Sequence, residues 1–169
     1  MPALIEAMKR AFAALSAGDV VVPQRGNLPL PSVKGTLLTM PAWVHTPEGD
    51  ALSVKIVSVY PHNRTRGLPV VQAVVLMLDA QTGQPAAVLD GTVLTARRTG
   101  AASGAATDLL ARPDSRVAAI IGAGAQARTQ LEAICAVRPI EEAWVYAPTR
   151  AHAQRYAEEM QAQLGIRIG

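Results

Sequence analysis

Ile5, Met8, Phe12 and Leu15 recur at helical spacing between Pro2 and Leu15, and Gly18 follows as a stop signal, so the chain opens with an amphipathic helix. From Val20 to Pro31 the pattern changes. Pro23, Gly26, Pro29 and Pro31 exclude long regular structure there and predict an extended, irregular crossing. Three β-rich runs come next, at about Gly35–His45, Ala51–Tyr60 and Val70–Asp79, with a shorter one at Ala86–Asp90. Their connectors are Thr46–Asp50, the stretch 61–69 with Asn63 and Gly67, and Ala80–Pro85. The first and third are too short for a parallel crossover, which predicts an antiparallel sheet.

After Gly91 the period changes again. Thr92 to Ala111 is an alanine-rich helix in which Gly100 and Gly104 stand four apart with Ser103 between them, leaving one face without bulk where a neighbour can come close. Pro113-Asp114-Ser115 breaks the chain, and the β-branched run Arg116–Ile121 leads directly into Gly122-Ala-Gly-Ala-Gln-Ala127. A helix over about Ala125–Val137, a break at Pro139, a strand at Ala143–Ala147, a helix begun at Thr149 and Gly165 complete a strand–helix–strand–helix series. The change in composition places a boundary near Pro113, dividing the chain into 1–113 and 114–169.

The chain has 169 residues, half of them hydrophobic, 17% charged, and a single cysteine; this excludes a disordered, collagenous or disulfide-built protein. The net charge of +3 is spread thinly, with no basic run longer than Arg97-Arg98, so nucleic acid is not an expected partner. Charged residues and prolines interrupt every apolar run, so no membrane span is expected. Glu6, Lys9 and Arg10 in the first helix are unlike a secretion signal, and the expected location is cytoplasmic. Cys135, alone in a helical stretch of small residues, reads as a buried inert thiol.

The strongest chemical signal is Gly122-x-Gly124-x-x-Ala127 between a strand and a helix, the arrangement that a dinucleotide fingerprint requires. Glycine at 122 permits a tight turn, glycine at 124 lets a pyrophosphate approach the backbone, and a small residue at 127 lets helix and strand pack closely. The helix N-terminus offers unpaired N–H groups to phosphate. The next strand ends in Tyr146-Ala-Pro-Thr-Arg150, where an NAD site normally places an acidic residue against the ribose. Without that carboxylate Arg150 can pair with a 2′-phosphate, which tilts the choice toward NADP; alternatively Thr149 caps the last helix and Arg150 is solvated.

Lys55, inside an apolar strand, must reach water, a counter-charge or a ligand, unless it guards a sheet edge. Arg25 lies in the proline-rich crossing and Arg98 in the small-residue helix; each alone reads as a surface residue, and together with Lys55 they would clamp a carboxylate. No metal site is expected.

The chain resembles the ornithine cyclodeaminase/mu-crystallin family. The likeness runs through Val22-Pro-Gln-Arg25, Met40-Pro-Ala42, Val54-Lys-Ile-Val57 with Pro61-x-Asn63 and Gly67-Leu68, Asp79-x-x-Thr-Gly83, Leu94-Thr-Ala-x-Arg-Thr-Gly-Ala101 and Gly122-Ala-Gly-Ala-Gln-Ala127. It implies an α/β protein: an antiparallel-sheet domain for substrate binding and dimerisation, followed by a Rossmann domain for NAD or NADP that is incomplete in this chain. It further implies a homodimer acting on a small amino or imino acid. By position, Arg25, Lys55 and Arg98 would hold the substrate carboxylate, and Ala125 and Gln126 would lie against the dinucleotide phosphates, with Gly122, Gly124, Ala127, Thr149 and Arg150 completing the cofactor set.

Two activities follow from the resemblance. A cyclodeaminase takes hydride from ornithine, loses ammonia, closes the ring and returns the hydride to give proline; a ketimine or pyrroline-2-carboxylate reductase, or an alanine dehydrogenase, uses external NAD(P)H. A mu-crystallin-like protein that binds NADPH and ligand without turnover is the alternative of another class. Ala147 stands where NAD-using cyclodeaminases carry aspartate, and Val70 where the ornithine enzyme has a threonine touching the cofactor. The family is about twice as long, so the expectation is a fragment or truncated form with two strands of a sheet of about six. The family's catalytic aspartate would then lie beyond residue 169, leaving a chain that ends there inactive.

Overall fold

The computed structural model describes residues 1–47 and 49–169. Glu48, within the 46–50 connector, lies outside the described residues. The chain divides into two compact units, Ala11–Thr95 and Met1–Arg10 with Ala96–Gly169.

Helix α1 spans Pro2–Ala17 and stops where the pattern requires, at Gly18 with φ +87°. Unit Ala11–Thr95 is built on an antiparallel sheet of β1 (Val20–Val21), β2 (Gly26–Leu30), β3 (Gly35–Val44), β4 (Ala51–Val59), β5 (Val71–Leu78) and β6 (Pro85–Asp90). The order is β1-β3-β4-β5-β6, with β2 also pairing β3. Alternation of side chains makes the register legible: Met40, Lys55 and Val75 stand abreast on β3, β4 and β5, and the next rank on that face is Leu38, Val57 and Ala73. The crossing before β3 is more regular than its composition suggests, because β2 runs along the outer side of β3, and an edge strand tolerates Pro29.

Two turns hold this sheet in shape. Residues 61–66 form a 3₁₀ turn ending at Gly67 (φ +66°), and buried Asn63 donates from Nδ2 to the carbonyl of Pro69 at 3.0 Å. Between β5 and β6, Asp79 Oδ1 accepts from the N–H groups of Gln81 and Thr82 and from the Thr82 hydroxyl. Those bonds hold its carboxyl below the ordinary carboxylate value.

Helix α2 (Gly91–Leu110) begins beside β5, where a Cβ on Gly91 would fall 2.8 Å from the carbonyl carbon of Ala73. Its later part belongs to the second unit with β7 (Val117–Ile121), α3 (Ala125–Val137), β8 (Glu142–Tyr146), α4 (Arg150–Leu164) and β9 (Arg167–Ile168). The three strands are parallel in the order β7-β8-β9, so a third strand is present where two are expected from the sequence. One sheet face, Ala118, Ile120 and Ala143, is buried with Leu131, Tyr156 and Met160 of α3 and α4. The alternate residues face outward, with Ile121 89% and Trp144 57% exposed.

The bulk-free face of α2 is where α3 and α1 come close. A Cβ on Gly100 would lie 2.4 Å from the Thr129 carbonyl oxygen, and one on Gly104 would meet Ile5 and Ala133. Thr129 Oγ1 also donates to the carbonyl of Ala96 at 2.8 Å. At the other end of α2, the nearly buried Arg138 guanidinium donates to the carbonyls of Asp108, Ala111 and Arg112 and to the Asp108 carboxylate, which also receives Lys9 at 2.6 Å. Arg138 thereby satisfies the Asp108 carbonyl at the helix end and two carbonyls just beyond it.

Candidate functional site

The site is built at the end of β7. A strand buried on one face delivers the chain to Gly122, whose φ of +107° suits glycine and whose N–H donates to the Tyr146 carbonyl on β8 at 2.7 Å. Gly124, extended at φ −86° and ψ −175°, is the N-cap of α3 and supplies no side-chain cap. The N-cap residue therefore gives the first N–H groups of α3 no side-chain acceptor, and the positive end of the helix dipole lies at the turn. A Cβ placed on Gly122 or Gly124 would meet nothing within 4 Å, so space lies open over this backbone.

Ala125 and Gln126 are exposed at the helix start, whereas Ala127 is 8% exposed and packs into the core. Gly122, Gly124, Ala125, Gln126 and Ala127 thus form one structure: a tight turn, an open approach and a small residue at the helix–strand contact. An anionic pyrophosphate fits such a donor set without a cation.

Arg128, not singled out in the sequence, holds the turn from behind. It donates from Nη1 to the carbonyls of Ala123 (3.2 Å) and Gly124 (3.0 Å), and from Nε and Nη2 to Glu159 at 2.8 and 2.6 Å. Its guanidinium carbon lies 5.4 Å from the centre of the Tyr156 ring. Glu159 raises the Arg128 pKa and is itself lowered. Tyr156, fully buried, donates its hydroxyl to the Ala127 carbonyl at 3.0 Å, and burial pushes the phenol up to about 12.

Thr149 occupies the N-cap position of α4, but its side chain makes no capping bond; its carbonyl accepts from His152 and Ala153. Arg150 begins the helix and borders a hollow of about 430 Å³ with Val145, Ala153, Gln154, Ala157 and Ile168.

The three cations differ in setting. Lys55 is half-buried at the middle of β4, paired on one side with Met40 of β3 and on the other with Val75 of β5, so it does not guard an edge. Arg25 is exposed in the connector between β1 and β2 of the same unit. Arg98 is exposed on α2 within the other unit. Cys135 is half-buried, and desolvation raises its pKa, which disfavours the nucleophilic thiolate. Among the described residues no cluster of three or more His, Cys, Asp or Glu is placed to hold a metal ion, and no helix is long and apolar enough to cross a membrane.

Comparison with known proteins adds to this geometry. The family model described as ornithine cyclodeaminase/mu-crystallin family matches residues 1–169. The chain is 41% identical to Delta(1)-pyrroline-2-carboxylate reductase of Bacillus cereus over 98% of its length and 50% of that protein's. It is 35% identical to ketimine reductase mu-crystallin of Mus musculus, covering 96% of this chain and 51% of the relative. The solved structure of Thermococcus litoralis Delta(1)-pyrroline-2-carboxylate reductase in complex with NADH and L-proline has a TM-score of 0.90 and 50% identity, covering 98% of this chain and 50% of that one. The chain spans about half the length of the curated relatives it matches.

Proposed function

That this chain belongs to the ornithine cyclodeaminase/mu-crystallin family is the premise from which we propose that it is part of an NAD(P)H-dependent reductase of Delta(1)-pyrroline-2-carboxylate or a related cyclic ketimine acid. The observation that carries the reading is the β7–α3 turn, with Gly122 at positive φ, open space over Gly124 and an uncapped helix start. The identity of half the aligned residues to a reductase whose solved structure holds NADH and L-proline supports the same substrate class. Ornithine cyclodeamination is the lesser reading: the relatives described above are reductases, and the resemblance places Val70 where the ornithine enzyme would have a threonine against its cofactor.

In this reading residues 1–113 supply substrate binding and the subunit contact of a homodimer, and 114–169 open the dinucleotide-binding domain. NAD(P)H, when bound, would supply the hydride for the imine carbon, the imine nitrogen taking up a proton. The resemblance assigns Arg25, Lys55 and Arg98 to the substrate carboxylate, and because reaction needs donor and acceptor carbons in register, such a clamp would contribute by positioning. Gly122, Gly124, Ala125, Gln126 and Ala127 receive the pyrophosphate. Thr149 and Arg150 face the adenosine end, where Ala147 in place of an aspartate leaves a 2′-phosphate unopposed. The proposed location is the cytoplasm.

The test uses a protein of the relatives' length that carries these 169 residues. NAD(P)H consumption with Delta(1)-pyrroline-2-carboxylate, and no proline from ornithine with NAD⁺, is the expected result. Proline from ornithine without net cofactor change would replace the reductase by a cyclodeaminase. Binding of NADPH without turnover of either substrate would leave a mu-crystallin-like ligand holder. Lys55→Met is expected to abolish substrate binding while NAD(P)H binding is kept.

A further inference from the structure

We propose that Arg128 is a positioning residue of the dinucleotide site, holding the peptide groups at 123–124 and 124–125 so that the N–H groups of Gly124 and Ala125 face a bound pyrophosphate; this rests on the reading of the β7–α3 turn as that site. A trans peptide is planar, with C=O and N–H on opposite sides. Arg128 Nη1 draws the Ala123 carbonyl to itself at 3.2 Å and the Gly124 carbonyl at 3.0 Å. The N–H groups of Gly124 and Ala125, in the same two planes, must then point away from Arg128. The second carbonyl is already aligned by the helix it begins, so the decisive bond is the one to Ala123, which lies before the helix.

The guanidinium is itself held on three sides. Glu159 takes Nε and Nη2 in a two-point contact, and the Tyr156 ring lies beneath at 5.4 Å. Tyr156 is in turn fixed by burial and by its hydroxyl bond to the carbonyl of Ala127, one residue before Arg128. The planar fork of arginine reaches turn and carboxylate together, which a lysine ammonium cannot do. Since Glu159 balances the charge, Arg128 acts by orienting amides rather than by attracting phosphate.

The test compares the chain with Arg128→Met, Arg128→Lys and Glu159→Gln, titrated with adenosine 5′-diphosphate and with adenosine while the Gly124 and Ala125 amides are followed by ¹H–¹⁵N NMR. Arg128→Met is expected to weaken diphosphate binding about tenfold, the loss of one or two well-aligned hydrogen bonds. Adenosine binding should be unaltered, and the ligand-induced shift of the Gly124 amide should vanish. Arg128→Lys should fall between, and Glu159→Gln should weaken the diphosphate several-fold. Loosened folding alone would lower both ligands equally. If Arg128→Met does not fold, the two milder variants carry the test. Diphosphate affinity and Gly124 shifts equal to the parent chain in the folded variants would overturn the proposal. A parent chain whose turn amides ignore the diphosphate would instead remove the dinucleotide reading beneath it.

Discussion

Replacing Gly100 by alanine tests whether α2 and α3 really touch through their backbones. The added Cβ would lie 2.4 Å from the Thr129 carbonyl oxygen, 2.5 Å from its carbonyl carbon and 2.7 Å from its Cβ. Carbon contacts are comfortable at about 3.5–4.0 Å, so α3 has to retreat by about 1 Å at Thr129. Two of the three atoms are backbone and have no rotamer by which to escape. Overpacking of this kind costs about 1–3 kcal/mol, against about 1 kcal/mol recovered because alanine is the better helix former. The retreat also stretches the Thr129 bond to the Ala96 carbonyl, which adds to the cost. The net expectation is a loss of about 1–2 kcal/mol, read as a lower urea midpoint by circular dichroism. Gly104→Ala is the comparison: its Cβ first meets Ile5 Cδ1 at 2.8 Å, the end of a movable side chain, and should cost less. A Gly100→Ala chain more stable than its parent would show helix propensity acting alone and would refute the close contact.

Further outcomes follow from the same unit. Asp108→Asn should lower stability at neutral pH but not in acid: Lys9 and then Arg138 hold the carboxyl below its ordinary value of 3.8. A depressed folded pKa means the contribution is complete above that value and disappears as pH falls through the lower folded value, which acid titrations of parent and variant will show. Tyr156→Phe should cost about 1 kcal/mol through the lost buried hydrogen bond to Ala127. In the parent chain, alkaline titration followed by tyrosinate absorbance should show Tyr156 ionising near 12; because that folded pKa is raised, its contribution holds below 10 and is lost as pH climbs through about 12. At the adenosine end, Arg150→Ala should weaken NADPH more than NADH in fluorescence titrations, and equal effects would return Arg150 to the solvent.

Much of this architecture was legible because side-chain periodicity reports directly on burial. The runs forming β3, β4 and β5 alternate or cluster as sheet residues do, and the short connectors after β3 and β5 leave antiparallel pairing as the only option for the strands they join. The Gly122–Ala127 turn was legible because backbone geometry there restricts residue type. Other features depended on partners distant in sequence. Strand β2 was hidden by Gly26 and Pro29, which are tolerated only because β3 offers an edge. Strand β9 has two residues and no pattern of its own, and it forms because β8 lies alongside. A gatekeeper role at a sheet edge was open for Lys55 in the sequence, and pairing on both sides of β4 places it centrally. Arg128 was missed for the same reason: its partner Glu159 stands 31 residues away, on another helix.

The central claim, that the β7–α3 turn receives a dinucleotide through its bare backbone, is tested most directly by Gly124→Ala. Its φ of −86° and ψ of −175° suit alanine, and the new methyl meets nothing within 4 Å, so unliganded stability should fall by no more than about 1 kcal/mol, the cost of alanine at a helix N-cap. The methyl would nevertheless stand where a pyrophosphate approaches. In NADH fluorescence titrations the parent chain is expected to bind, and Gly124→Ala to bind at least about tenfold more weakly while remaining folded. Equal NADH affinity in the two chains, or a parent chain that binds neither NADH nor NADPH, would contradict the account.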